Sequence, residues 1–195
     1  MNAQNRWKFA GRLAMAGAES GVLVTMVGVV PVLFLGRFVI EDVAAVAMLI
    51  AYGLVFGYYM ARRLARAGLD VQDHRRLLLA MPPVAMVAGY LAMRASTGFS
   101  PDPALSAADG IVFGAVAGAV IGIAMLRLPL AELKGMPVPA SFVIPLTLLA
   151  AGAVMGVVAG AILTVPLAWM AAMPVWQAGI GAAMGRFLAL PAQDG

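Results

Sequence analysis

Long apolar runs alternate with short charged segments along this chain, and the runs have the length that crosses a bilayer. An α-helix rises about 1.5 Å per residue, so roughly 20 apolar residues span the hydrocarbon core. The first run follows Arg6, Lys8 and Arg12, beside Trp7, and predicts a span over about residues 14–36. It is too long for a signal peptide and no small-residue cleavage site follows, so it is expected to be retained, with a kink at Pro31. A second span at about 43–61 ends in Tyr58 and Tyr59, and a third at about 77–93 is expected to break at Pro82-Pro83. The fourth, about 110–126, stops at Arg127. No charge then intervenes between Gly135 and Arg186, a length that holds two more spans, near 141–165 and 172–190. Pro166 and Pro174 mark the expected break between them, with Trp169 and Trp176 as interfacial anchors.

The pattern predicts an all-α fold: one integral membrane domain over residues 1–195, a polytopic bundle of about six transmembrane helices with both termini cytoplasmic. The basic residues set the orientation. Of the 13 Lys and Arg residues, 11 fall in segments this topology puts inside, Arg37 and Arg94 being the exceptions. The outer segments carry Glu41, Asp42, Asp102 and Asp109. That is the positive-inside arrangement, so the expected location is the cell's inner (plasma) membrane.

Composition agrees. The chain is 63% hydrophobic and 11% charged, against about half and about a quarter for soluble domains. The net charge of +4 sits in clusters between apolar runs, so it reads as topology and lipid contact, with no nucleic-acid partner. Having no cysteine, the chain can form no disulfide, thiolate metal site or cysteine nucleophile.

Two glycine stripes stand out. Gly114, Gly118 and Gly122 recur every fourth residue, as do Gly152, Gly156 and Gly160, with Gly53 and Gly57 as a shorter pair. This spacing lines one face of a helix with no side chains, the surface on which membrane helices pack closely. The two long stripes either face each other as an antiparallel pair or take separate neighbours. Their likeness is what a duplicated transporter half would show, and also what any Gly/Ala-rich membrane chain generates.

Candidate chemistry is sparse. His74 is the sole histidine and lies among arginines, and there is no nucleophile elbow or phosphate-binding glycine loop, so no enzymatic activity, metal or cofactor is expected. Glu19 and Gln177 form the candidate intramembrane polar site, since buried polar groups at membrane depth face a cavity or a partner. For Glu19 the structural alternative is pairing with an arginine from a neighbouring helix end; for Gln177 it is a hydrogen bond to another helix. Asp70 and Asp73 either bind a metal or cap the third helix. The 14 methionines are scattered and read as flexible filler. Arg62, Arg63, Arg66, Arg75 and Arg76 form an expected cytoplasmic basic loop, read as a topology signal, a contact for anionic head groups, or a docking site for a cytoplasmic partner.

The stretch GVLVTMVGVVPVLFLGRFVIEDVAAVAMLIAYGLVFGYYMARR, from Gly21 to Arg63, resembles the N-terminal membrane region of branched-chain-amino-acid-type ABC transporter permeases. The later TGFSPDPALSAADGIVFGAVAGAVIGIAMLRLP is similar in its polar loop, Gly-rich span and basic exit. Together they cover about half the chain; the core region of such permeases has no counterpart, and no binding residue carries over. The resemblance implies a membrane subunit or accessory region of an ABC-type importer, partnered by a permease core and a cytoplasmic ATPase. Two alternatives stand beside it: the substrate-binding membrane subunit of an energy-coupling-factor vitamin importer, and a non-transporting scaffold or homo-oligomer.

Overall fold

The computed structural model describes residues 3–29, 46, 49–50, 52–66, 74–96, 102–126, 138–165 and 168–188. The expected kink at Pro31 and the acids Asp70 and Asp73 lie outside these residues. Among the described residues the secondary structure is all helical. Helix α1 (Ala3–Val24) closes in a π-helical turn, Thr25–Val29. A second π-helical segment, Gly53–Gly57, leads directly into α2 (Tyr58–Arg66). Then come α3 (His74–Ala95), α4 (Pro103–Met125) and α5 (Val138–Leu163). A 3-10 turn, Ala168–Ala171, opens α6 (Ala172–Leu188).

The start of α4 shows how local chemistry sets an element. Asp102 stands outside the helix and its carboxylate accepts from the backbone N–H groups of Ala104 and Leu105, at 2.8 and 3.2 Å. Pro103 follows at the first helical position, where its missing N–H costs nothing.

Each helix packs on its neighbour in the chain, and α6 packs on α1, so the six form a closed ring. Within the ring, three antiparallel pairs share one contact motif. Gly21 of α1 faces Pro174 of α6, Gly57 faces Pro82 of α3, and Gly122 of α4 faces Pro145 of α5. A Cβ on any of the three glycines would lie 2.5–2.6 Å from the proline Cα. Seven residues beyond each proline stands another contact glycine, Gly89, Gly152 or Gly181. The likeness extends to sequence: GLVFGYYMAR at 53–62 parallels GAVIGIAMLR at 118–127. Phe56 matches Ile121 and Met60 matches Met125, all at most 1% exposed. The glycine–proline contact thus recurs between helix pairs, whereas the stripes of α4 and α5 are two sides of one seam.

Several expectations change here. Helix α3 runs unbroken through Pro82 and Pro83. A neighbour supports it, because Gly57 lets the adjacent backbone close onto Pro82, the setting in which packed helices tolerate proline. Pro174 lies in the first turn of α6, where its missing N–H costs no intrahelical bond, so the break falls just before it. The basic segment is not all loop. Arg62, Arg63 and Arg66 belong to α2, and His74, Arg75 and Arg76 open α3. Arginine is a good helix former, and at the end of α2 its charge also complements the helix dipole. Trp176 is no interfacial anchor: it is 2% exposed and meets Phe113 edge-on, with ring centroids 5.9 Å apart. A small apolar cavity lies beside it, lined also by Gly110, Gly156 and Ala159.

One continuous apolar core joins the helices, with Phe56, Met60, Ile121, Leu148, Ile180 and Met184 all buried. Methionines fill space over glycine, Met86 over Gly53 and Met155 over Gly179. The outside is as apolar as the inside, with Leu79, Leu105, Phe142, Leu146 and Val154 exposed. In water such a surface would drive association. Two helices, Pro103–Met125 and the Phe142–Leu163 part of α5, are long and apolar enough to cross a membrane, while Leu79–Ala95 is apolar but shorter.

Candidate functional site

Glu19 lies on α1 with Arg12 and Ala16, three positions that helical periodicity brings to one face. Tyr59 and Arg63 lie four residues apart on α2 and meet that face. The Tyr59 hydroxyl and the Arg63 Nη2 both donate to one carboxylate oxygen of Glu19, Oε2. Nη2 also donates to the Tyr59 oxygen at 2.8 Å. The carboxylate therefore has a cation and a neutral donor on the same atom. Both charged side chains remain over 40% exposed, so the pair lies open at the bundle's flank.

Beside it is a cleft of about 210 Å³ between α1 and α2. Arg12, Arg63 and Glu19 supply its charge, and Phe9, Leu13, Met15 and Ala16 its apolar wall. Glu19 stands seven residues beyond Arg12, about 10 Å along the helix axis.

Gln177, the other polar candidate, is fully buried and far from this cleft in role. The Ser20 Oγ lies 2.6 Å from its Oε1 and 2.8 Å from the Gly17 carbonyl oxygen, two acceptors for one hydroxyl proton. Turning the Gln177 amide end for end resolves the conflict. Its NH₂ then donates to Ser20, and the Ser20 proton goes to Gly17. The bond is a clasp between α1 and α6, matched on the α4–α5 seam by Ser106, which donates to the Gly160 carbonyl at 2.8 Å. The structure thus keeps Glu19 and Gln177 apart, on different seams.

The glycines line those seams. Gly114 and Gly152 each point at the other's carbonyl oxygen, and Gly110 and Gly156 do the same. Gly118 faces the Leu148 carbonyl, Gly122 faces Pro145, and Gly160 faces the Ser106 carbonyl. Gly53 lies under Met86. The reciprocal contacts bring Cα–H groups against carbonyls, weak hydrogen bonds that recur at close helix interfaces.

Sequence reasoning passed over the α1–α6 seam, although Gly17-x3-Gly21 and Gly181-x3-Gly185 carry the same spacing signal. Gly17 lies against the Gln177 carbonyl and Gly181 against that of Leu13. Arg63 is the arginine from a neighbouring helix that the pairing reading of Glu19 expects, while Tyr59 is an addition for which its four-residue spacing from Arg63 is the available clue. Among the basic residues, Arg62 is exposed beside Arg63 on α2, Arg66 ends that helix, and Arg75 and Arg76 lie in the first turn of α3. No three His, Asp or Glu side chains converge among the described residues. No protein-family model, curated protein or solved structure matches this chain.

Proposed function

We propose that this protein is a multi-pass subunit of the inner membrane, with six spans and both termini cytoplasmic. It acts through contacts within a larger membrane assembly, an ABC-type importer being the one its sequence resembles. The observation that carries the reading is the filled middle of the ring, where Phe56, Ile121, Leu148, Trp176, Ile180 and Met184 are at most 2% exposed. Among the described residues these side chains fill the space between the helices, which favours this reading over the central chamber of the vitamin-binding alternative. The apolar exterior and the positive-inside charge distribution favour the six-span arrangement.

Purification in mild detergent tests the assembly. An ATPase and a second permease are expected to co-elute. A lone oligomer would overturn the importer reading in favour of the scaffold, and a tightly held small molecule would favour the vitamin-type subunit. Because the chain lacks cysteine, single introduced cysteines report topology cleanly. Lys8→Cys should be shielded from an impermeant reagent added outside intact cells, and Glu41→Cys should react; the reverse would overturn the orientation.

A further inference from the structure

The cleft between α1 and α2 combines features that a structural ion pair does not need. It has two arginines and one carboxylate together with four apolar side chains, and it opens to the flank. We propose that it holds the phosphodiester headgroup of an anionic phospholipid, with Arg12 and Arg63 on the phosphate and the first acyl carbons along Leu13, Met15 and Phe9. The proposal rests on the membrane reading above.

The charges favour this occupant. Arg12, Arg63 and Glu19 sum to +1, which one phosphodiester neutralises. A headgroup carrying its own ammonium would bring a second cation beside the arginines, so a glycerol-type headgroup fits better than choline. The bonds of Arg63 to Glu19 and Tyr59 both leave from Nη2. The rest of the guanidinium therefore keeps donors for a phosphate, which suits its forked geometry. Glu19 and Tyr59 act here as positioning residues: they fix the Arg63 head and touch no lipid phosphate themselves.

Depth agrees as well. Trp7 is 71% exposed one turn before the cleft, where an indole marks the headgroup layer. Arg12 lies about 8 Å deeper along α1, near the start of the acyl chains. Free phosphate offers the same anion but nothing to cover the apolar wall. Lipid and inorganic phosphate are therefore the two sources to separate.

The test uses full-length protein that stays in the membrane through alkaline carbonate extraction, so a failure of the membrane reading shows before the lipid experiment begins. Lipid retention is measured by native mass spectrometry, and thermal stability in detergent supplemented with phosphatidylglycerol, phosphatidylcholine or inorganic phosphate. Phosphatidylglycerol is expected to be retained preferentially and to raise Tm. Arg12→Gln, a change at an exposed side chain, should weaken that retention about tenfold, the loss of one charge-assisted hydrogen bond. Arg94→Gln, on an exposed residue in the last turn of α3 and outside the cleft, should leave it unchanged. Equal retention of phosphatidylcholine, an unaltered preference in Arg12→Gln, or the same Tm rise with inorganic phosphate alone would each overturn the proposal.

Discussion

Gly114 and Gly152 face each other across the α4–α5 seam so closely that a Cβ on either would collide with the other's carbonyl oxygen. The obstacle on both sides is backbone, which cannot swing away as a flexible side chain would. Gly114→Ala and Gly152→Ala should therefore each force the helices apart and cost about 1–3 kcal/mol, the range for overpacking. Gly11→Ala is the internal control, since nothing lies within 4 Å of its missing Cβ. It should be neutral or stabilise by up to about 1 kcal/mol through helix propensity. Thermal unfolding in detergent compares them, and a Gly114→Ala protein as stable as Gly11→Ala would contradict the seam.

Proline 83 offers the opposite test. Gly57 rests on Pro82, whereas Pro83 is exposed on the outer face of α3. Pro83→Ala restores an N–H to the helix interior without touching the α2–α3 contact. Helix energetics predict stabilisation, up to about 3 kcal/mol. A lowered Tm would mean that the ring of Pro83 has a packing role of its own.

The Ser20–Gln177 clasp predicts an asymmetry between its two halves. In Gln177→Leu, Ser20 keeps the Gly17 carbonyl as its acceptor. In Ser20→Ala, a fully buried amide loses its described partner. Ser20→Ala should thus cost about 1–2 kcal/mol and Gln177→Leu clearly less. Chemical unfolding of the two variants reads the order directly, and the reverse order would show that the amide is paired elsewhere.

Glu19 and Arg63 are both partly exposed, and their interaction is discounted accordingly. A double-mutant cycle with Glu19→Gln and Arg63→Gln should return a coupling of about 0.5–1 kcal/mol. Tyr59→Phe removes a donor to the same oxygen and should lower that coupling by loosening the geometry. If the cycle closes to zero, the contact contributes nothing to stability.

Helical periodicity made much of this protein readable in advance. The stripes at Gly114–Gly122 and Gly152–Gly160 and the pair at Gly53 and Gly57 are local patterns, whereas the start of α4 at Pro103 falls in what the sequence suggests is outer loop. Each such pattern depends only on residues within one or two turns. The choice of an arginine from a neighbouring helix end as one partner for Glu19 also followed from chemistry, because a carboxylate at that depth needs a cation or a cavity. The helical course of Pro82-Pro83 and of the basic segment is not legible locally, for a related reason. Local propensity counts the lost N–H of proline or the solvation of arginine, but not the neighbouring helix that compensates.

By itself, then, the sequence determined that the chain is helical, that its apolar surface suits lipid, and which helix faces are bare enough for close packing. Tertiary structure decided which faces meet. Ser20 and Gln177 lie 157 positions apart, and nothing local to either says that α6 returns to close the ring on α1. The same closure turns Trp176 inward onto Phe113 and leaves Arg12 beside Arg63 at an open cleft. The physical reason is that a helix carries its periodicity in its own residues, while its rotation about its axis is set by every neighbour it must pack against at once. The glycine–proline contacts, made three times around the ring, select that rotation because other faces carry side chains that would hold the backbones apart.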